Sequence, residues 1–399
     1  MNDLIHDYAP LNSIYYVFHW STFLIIGALV GVPFLIFLYL PYSLLKSIFS
    51  PLKKALSSPP PEPTDDHATL AVLISGCDTG FGRDLAERLL TSVPPPTTKH
   101  KSRSYKIFAL CLRDDSCSKI NALNETADPK YGNEVVGVQV DVTSDSSVSA
   151  AVSGAVLPWL NESSDRILHA VVNNAGIGTP GFVDMLNVQP AFSSPHSYRN
   201  DMEVNFYGMI RLTQAALPIL KAQSTRKSAS RYRRAVIVNV TSMAGLVASP
   251  NMSAYTCSKH AAEAFSTCLK LELKDFNISV TTVNPSFHGT PLVANIGDSV
   301  SRLYNDLARS NPGLFDEYGS EYIDETRKIS IRSSQACEWR AANVSKALEK
   351  VVYASSSGQV LVGSDAKYMI ATLRHLPVFV QDALLNVAFF RWNRPKAMM

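Results

Sequence analysis

Short apolar runs recur along the chain from residue 69 onward and alternate with longer segments of mixed polarity. The first run, residues 69–75, is apolar and β-branched, as is typical of a strand that is buried on both faces of a sheet. The segments between the runs, such as 203–222, have the length and the periodicity of helices. This alternation predicts an α/β domain with a doubly wound parallel sheet. The predicted strands are 69–75, 105–112, 135–141, 167–173, 235–241, 278–284 and 359–363.

The longest apolar stretch precedes these strands. Residues 8–45 contain no Asp, Glu, Lys or Arg, and residues 15–40 are almost continuously apolar. That length exceeds the roughly 20 apolar residues that span a bilayer. The stretch is too long for a signal-peptide core and lacks a basic region before it and a small-residue cleavage site. We therefore predict an N-terminal transmembrane helix within a membrane anchor at residues 1–50, rather than a buried core helix.

The charges that flank this stretch predict its orientation. Asp3 and Asp7 precede it, whereas Lys46, Lys53 and Lys54 follow it. Because basic residues favour the cytoplasmic side of a membrane, the following domain is expected in the cytosol. We expect a single-pass protein of the endoplasmic reticulum.

The remaining boundaries follow from composition. Residues 51–68 are rich in proline and predict a linker. The folded domain is predicted at 69–370, and an apolar helical segment at 371–399. The helix within that segment, residues 375–390, is expected either to contact lipid or to pack in a core or a homodimer.

Charge and cysteine content exclude some classes of function. A net charge of +3 over 399 residues is too small to indicate a nucleic-acid partner. The six cysteines do not have the spacing of metal ligands, so no metal site is expected. They are typical of free thiols in a reducing compartment rather than of a disulfide framework.

A glycine-rich turn, "SGCDTGFG" at 75–82, follows the first predicted strand. Gly76, Gly80 and Gly82 permit a tight turn and let backbone N–H groups approach a pyrophosphate at a helix N-terminus. A glycine pattern alone is weak, and an ordinary strand-to-helix turn is the alternative. Its position after a buried strand favours a nucleotide site.

Tyr255 and Lys259 are four residues apart in "SAYTCSKHAAEAF" and share one helical face. An ammonium group beside a phenol lowers the pKa of the phenol, so the pair can act as a general acid/base. A solvated helix face is the alternative. Asn173 in "NNAG" and Ser242 in "VTSMAG" end two predicted strands. Ligands in such sheets bind at the carboxyl ends of the strands, where both motifs and the glycine turn converge.

In this order, and together with "DVT" at 141–143 and Asn205 in "VNFYG", these motifs resemble those of the classical short-chain dehydrogenases/reductases. The resemblance covers about residues 69–370 and implies a Rossmann fold. The glycine turn and "FDEYGSEYIDE" at 315–325 are similar to one branch of that family. This branch holds the retinol dehydrogenases, 17β-hydroxysteroid dehydrogenase type 2 and 3-hydroxybutyrate dehydrogenase.

The resemblance also implies roles for the matching residues. Tyr255 would be the general acid/base, and Lys259 would lower its pKa and bind the nicotinamide ribose. Ser242 would polarise the substrate oxygen, and Asn205 would hold a water in a proton relay. The implied cofactor contacts are Gly76, Asp78, Gly80, Phe81, Gly82, Arg113, Asp141, Val142, Asn173, Ala175, Tyr255, Lys259, Pro285 and Thr290.

NAD is the favoured cofactor and NADP the alternative. Asp78 carries a charge that disfavours a 2′-phosphate, whereas Arg113 could bind one. The chain departs from the family where Pro285 is followed by Ser286 instead of glycine. A serine there is expected to narrow the approach to the nicotinamide.

These features together predict a membrane-anchored oxidoreductase for an alcohol or carbonyl group of a lipophilic substrate, a steroid or a retinoid. One alternative is a 3-hydroxybutyrate-type dehydrogenase that acts on a small acid. Another is a catalytically silent membrane scaffold that binds nucleotide. The complete set of Asn205, Ser242, Tyr255 and Lys259 favours an enzyme over the scaffold.

Overall fold

The computed structural model describes residues 69–92, 104–188, 197–224, 234–248, 250–335 and 339–390. The predicted transmembrane helix, its anchor at 1–50 and the linker at 51–68 lie outside these residues. Within the described ranges, no helix combines the length and the apolar character needed to cross a membrane. The five cysteines in these ranges are free.

Seven parallel strands form the central sheet, in the order β3-β2-β1-β4-β5-β6-β9. They are β1 (Thr69–Ser75), β2 (Tyr105–Cys111), β3 (Glu134–Gln139), β4 (Arg166–Asn173), β5 (Ala235–Val240), β6 (Ile278–Pro285) and β9 (Gly358–Val362). Two further strands, β7 (His288–Gly289) and β8 (Trp339–Arg340), pair only with each other among the described strands. The doubly wound parallel sheet is confirmed, because the strand order reverses direction between β1 and β4.

Helices connect these strands. They are α1 (Gly80–Thr91), α2 (Asp114–Asn121), α3 (Asp145–Ala151), α4 (Leu157–Asn161), α5 (Tyr198–Met202), α6 (Gly208–Ser224), α7 (Ser253–Glu272), α8 (Pro291–Ala294), α9 (Ile296–Ser310), α10 (Pro312–Tyr318), α11 (Ser320–Gln335), α12 (Ala342–Ala354), α13 (Ala371–Leu373) and α14 (Val378–Phe390). A π-helical turn, Glu203–Tyr207, joins α5 to α6.

The two faces of the sheet bury separate apolar layers, because successive strand residues point to opposite faces. On one face, Leu70, Val72 and Ile74 of β1 belong to a cluster with residues of α1, α2 and α12. On the other face, Ala71 and Leu73 belong to a cluster with residues of α3, α4, α6 and α7. The sheet is therefore covered by helices on both sides, and its carboxyl edge is left for the candidate site.

Two smaller clusters lie outside these layers. The first joins α9 and α11 to Met185 and Leu186, which follow β4, and to Ala254 of α7. The second joins residues around Val247 to α13 and to Leu384 of α14. These clusters connect the chain after β6, and the C-terminal helix, to the segments that follow β4 and β5.

Candidate active site

The glycine turn packs against the segment that follows β4. Gly76 and Gly80 have φ angles of +70° and +64°, a region that L side chains rarely adopt. A Cβ on Gly76 would lie 2.7 Å from the Cα of Ala175, and a Cβ on Gly82 would lie 2.5 Å from the carbonyl oxygen of Gly76. Gly76 and Gly82 therefore leave no room for a side chain. At Gly80 the nearest atom would be Thr290 Cγ2, at 3.7 Å, so there only the backbone conformation requires glycine.

Asn174 holds this contact in place. Its Nδ2 donates to the carbonyl oxygens of Ser75 and Gly76, at 3.0 and 3.1 Å. In return, Ser75 Oγ accepts the backbone N–H groups of Asn174 and Ala175, at 3.0 and 3.1 Å. Sequence reasoning selected Asn173 and missed both Asn174 and Ser75. The second asparagine of "NNAG" is the feature of the sequence that could have indicated Asn174.

Asn173 points into the interior instead. Its Nδ2 donates to Thr213 Oγ1 at 3.0 Å and to Asn239 Oδ1 at 2.8 Å, and the side chain is buried. Asn239 in turn donates to Ser266 Oγ of α7 at 2.8 Å. The side chain of Asn173 thus ties β4 to α6 and β5.

Asp78 joins the glycine turn to the loop after β2. Its carboxylate accepts the backbone N–H groups of Leu112, at 2.8 Å, and Arg113, at 3.1 Å. The Arg113 Nε lies 3.8 Å from Asp78 Oδ1 and 3.4 Å from Asp115 Oδ1, and its side chain is 59% exposed. The guanidinium therefore lies beside two carboxylates at the end of β2.

The residues that are expected to contact the adenine of the cofactor follow β3 in the chain. Asp141 Oδ1 accepts from the backbone N–H of Thr143 at 2.8 Å and from its hydroxyl at 2.7 Å. Val142 packs against the start of α6, where a Cβ on Gly208 would lie 2.9 Å from Val142 Cγ2.

The end of β6 supplies the remaining expected contacts. Pro285 ends this strand, and Thr290 Oγ1 caps α8. The Phe81 ring meets buried His288 edge to face, with 6.0 Å between centroids. The backbone N–H of Ser286 donates to Val362 O at 2.9 Å. A Cβ on Gly363 would lie 2.1 Å from Ser286 Oγ, so the serine side chain packs against a position where only glycine fits.

Tyr255 and Lys259 lie on α7, as predicted, and Ser242 precedes a short helical turn after β5. The Lys259 Nζ lies 5.6 Å from the centroid of the Tyr255 ring and donates to Val240 O at 3.2 Å. Ser242 Oγ accepts the backbone N–H of Ala244 at 3.1 Å. The strand end and the helix therefore bring the three side chains together.

The pKa of Tyr255 moves in the opposite direction from the one expected. Burial raises its pKa to about 12, with a hydrogen bond from Ser242 opposing the shift and the charge of Asp201 adding to it. Burial also lowers the pKa of Lys259 to about 8, against the raising effects of Asp201 and Glu263. Desolvation of the phenolate is thus the largest effect on the pKa of Tyr255.

Asn205 lies in the π-helical turn and clamps the segment after β4. Its Oδ1 accepts Ile177 N–H at 2.8 Å, and its Nδ2 donates to Ile177 O at 2.9 Å. The same Nδ2 donates to Ser258 Oγ at 2.9 Å, and that hydroxyl donates to Tyr255 O at 2.7 Å. Asn205 is therefore connected to the helix that carries Tyr255.

Two acidic residues near the site were missed from the sequence. Asp201 is fully buried and binds Thr179 through both carboxylate oxygens. Glu263, one turn after Lys259, accepts from Thr241 Oγ1, and from Asn284 Nδ2 at 2.5 Å. Asn284 also donates to Ser242 O at 3.1 Å, so these hydrogen bonds hold the Ser242 turn in position.

The comparisons with known proteins agree with this geometry. Residues 70–301, more than half of the chain, match the sequence profile of the family described as short chain dehydrogenase. The mitochondrial D-beta-hydroxybutyrate dehydrogenase of Bos taurus is 30% identical over 292 residues, which are 73% of this chain and 74% of that protein. The chain belongs to the short-chain dehydrogenase/reductase family.

Other relatives fall in the branch that the motifs indicated. The 17-beta-hydroxysteroid dehydrogenase type 6 of Bos taurus is 28% identical over 81% of this chain and 89% of the relative. Human retinol dehydrogenase 16 is 27% identical over 79% of this chain and 87% of the relative. A short-chain dehydrogenase/reductase from Burkholderia phymatum, solved in complex with NAD, has the same fold. It gives a TM-score of 0.56 at 21% identity and covers 79% of this chain and 96% of the solved one.

Proposed function

We propose that this short-chain dehydrogenase/reductase transfers a hydride between a nicotinamide cofactor and an alcohol or carbonyl carbon of a lipophilic substrate. The observation that carries the proposal is the convergence of Ser242, Tyr255 and Lys259, with Asn205 linked to them through Ser258. Hydride transfer at such a carbon needs a matched proton transfer at its oxygen. Tyr255 supplies the acidic O–H group for that step.

The glycine turn fits the pyrophosphate of NAD. Helix α1 begins at Gly80 with no side-chain cap from Thr79 and no acidic residue in its first turn. Free N–H groups and the helix dipole at such an N-terminus favour a phosphate. Gly76 and Gly82 keep the turn close to Ala175 and Asn174 after β4, and Gly80 adopts the left-handed backbone conformation at the start of α1.

Further residues would hold the rest of the dinucleotide, which supplies or accepts the hydride when it is bound. Asp78 and Arg113 would face the adenosine ribose, and Asp141 and Val142 the adenine. Phe81, Pro285 and Thr290 would contact the nicotinamide half, and Lys259 its ribose. We favour NAD over NADP because Asp78 and Asp115 lie beside the guanidinium of Arg113 and compete with a 2′-phosphate for it.

The proton chemistry then follows from the tyrosine environment. With its pKa raised to about 12, the Tyr255 phenol is protonated at neutral pH and can donate to a carbonyl oxygen during reduction. In the oxidation direction, the phenol must first lose this proton, and a cation beside it lowers the required pH. Lys259 and the positive ring of an oxidised nicotinamide would both act in this way. Ser242 would hold the substrate oxygen beside Tyr255, and Asn205 would hold a relay water.

A lipophilic substrate fits the surroundings of the cleft. Phe287 and Leu292, on either side of Thr290, are large apolar residues with exposed surface. Phe182, which follows β4, stacks on Tyr318 of α10 with 5.4 Å between ring centroids. The names of the steroid and retinol relatives support a steroid or a retinoid. The relative that is named for hydroxybutyrate, at 30% identity, supports a small 3-hydroxy acid as the second candidate.

We further propose that the enzyme works at a membrane, in the endoplasmic reticulum with its catalytic domain in the cytosol. The apolar stretch at 15–40 and the basic residues after it support this. Helix α14 adds an apolar surface, since Val378 and Phe379 are 70% and 74% exposed. The same surface could instead pair two copies of the chain in a homodimer.

A substrate panel tests the proposal. Full-length protein in detergent is incubated with retinol, estradiol, an androgen or 3-hydroxybutyrate, and NADH or NADPH formation is followed by absorbance. We expect turnover with a steroid or retinoid and NAD. Turnover with 3-hydroxybutyrate alone would favour the second candidate, and no turnover with any of these substrates would contradict both.

A further inference from the structure

The segment after β4 passes directly beside the proton-transfer residues. A Cβ on Gly178 would lie 3.4 Å from Tyr255 Cδ2, and a Cβ on Gly176 would lie 3.5 Å from Lys259 Nζ. A shift of this segment would therefore change the packing around both side chains.

Two side chains of one continuous helix hold this segment. Asn205 accepts a hydrogen bond from the backbone N–H of Ile177 and donates one to its carbonyl oxygen. Four residues earlier, Asp201 Oδ2 accepts Thr179 N–H at 3.1 Å, and Asp201 Oδ1 accepts the Thr179 hydroxyl at 2.6 Å. Each oxygen of Asp201 therefore accepts one hydrogen bond, which suits an ionised carboxylate.

Because Asp201 is buried, its charge affects the protonation of neighbouring groups that it does not contact directly. Its side chain is fully buried, and Lys259 and Thr179 are buried as well. Burial raises the pKa of Asp201 to about 6, while the bonds from Thr179 and the charge of Lys259 lower it. At pH 7 and above, a negative charge at Asp201 favours the protonated forms of Lys259 and Tyr255, and Glu263 acts on Lys259 in the same direction. Water screens such interactions poorly in the interior.

We propose that Asp201 is a positioning residue for the proton-transfer step, which holds residues 177–179 against Tyr255 and sets the charge around Tyr255 and Lys259. The inference rests on the proposed hydride-transfer function. It assigns to Asp201 two separable effects, one mechanical and one electrostatic.

Asp201→Asn tests the electrostatic effect. The amide has nearly the same shape, but it carries no charge and cannot accept from both Thr179 donors. Removal of a negative charge favours deprotonation of both Tyr255 and Lys259. In the direction of carbonyl reduction, where both groups must be protonated, we therefore expect the alkaline limb of the kcat/KM profile to shift toward lower pH by about one unit, with kcat/KM at pH 9 about tenfold below wild type. A profile that coincides with wild type would overturn the proposal.

Two further variants complete the test. Asp145→Asn removes the same charge from an exposed side chain that pairs with Arg211, and its profile should match wild type. Thr179→Val removes one hydrogen bond and keeps the carboxylate. It should lower kcat/KM about fivefold at pH 8 without moving the alkaline limb. If Asp201→Asn does not fold, wild-type activity in Thr179→Val overturns the mechanical part of the proposal.

Cofactor affinity provides a readout that needs no turnover. The dissociation constant of NADH is measured from pH 6 to pH 10 by the fluorescence of NADH. We expect the affinity of Asp201→Asn to fall at a lower pH than that of wild type, because Lys259 deprotonates earlier. Wild type that binds NADH but turns over no substrate would contradict the proposed function, whereas identical binding profiles would contradict the role of Asp201.

Discussion

Replacement of Gly76 by alanine should destabilise the domain and impair dinucleotide binding. The backbone at Gly76 has a φ of +70°, and a Cβ there would lie 2.7 Å from Ala175 Cα. The left-handed conformation costs an alanine about 1–2 kcal/mol, and the overlap with backbone costs about 1–3 kcal/mol more. We expect the free energy of unfolding to fall by about 2–5 kcal/mol, which lowers Tm by about 5–15 °C.

Gly80→Ala is the matched control. Its φ of +64° imposes the same backbone cost, but the nearest atom to its Cβ would be Thr290 Cγ2, at 3.7 Å. It should therefore lower Tm by only about 2–6 °C. The assay is thermal denaturation of purified protein, followed by far-ultraviolet circular dichroism, with NADH affinity measured at 20 °C. Equal Tm values for the two variants would refute the argument, because the close approach of Gly76 to Ala175 would then carry no cost.

Two other predictions concern the cofactor and the membrane. Arg113→Ala should leave kcat/KM with NAD within about threefold of wild type, because the guanidinium lies beside Asp78 and Asp115. If wild type instead prefers NADP by more than tenfold and this variant loses the preference, Arg113 binds a 2′-phosphate. A protein that lacks residues 1–55 should be extracted from membranes by carbonate and should still bind NADH, because the glycine turn begins at Gly76. If it instead stays in membranes as firmly as the full chain, the main anchor is another segment, such as α14.

The strands could be predicted because each is an apolar run that the sheet buries on both faces. Even the end of β1 was placed correctly, since the glycine turn begins at Gly76, directly after Ser75. The positions of Tyr255 and Ser242 followed from local rules, namely helix periodicity and the place where ligands meet a parallel sheet.

The parts that could not be predicted depend on tertiary contacts. Asp201 lies in "YRNDME", which in sequence is an ordinary polar helix start. Only the packing of α5 against α7 and the segment after β4 buries its carboxylate. The pKa of Tyr255 was expected to fall, because helix spacing places Lys259 nearby. Burial, which spacing does not report, raises it instead.

Tyr255→Phe tests the central claim most directly. The variant deletes only the hydroxyl that donates the proton and keeps the ring beside Gly178. The measurement compares kcat and the dissociation constant of NADH in wild type and variant, with the substrate that the panel identifies. General acid/base catalysis by one side chain contributes about 10²–10⁴-fold, so we expect kcat to fall by at least about a hundredfold. NADH affinity should stay within about threefold of wild type, since the loss is confined to the proton-transfer step. A kcat within tenfold of wild type would contradict the assignment of Tyr255 as the general acid/base.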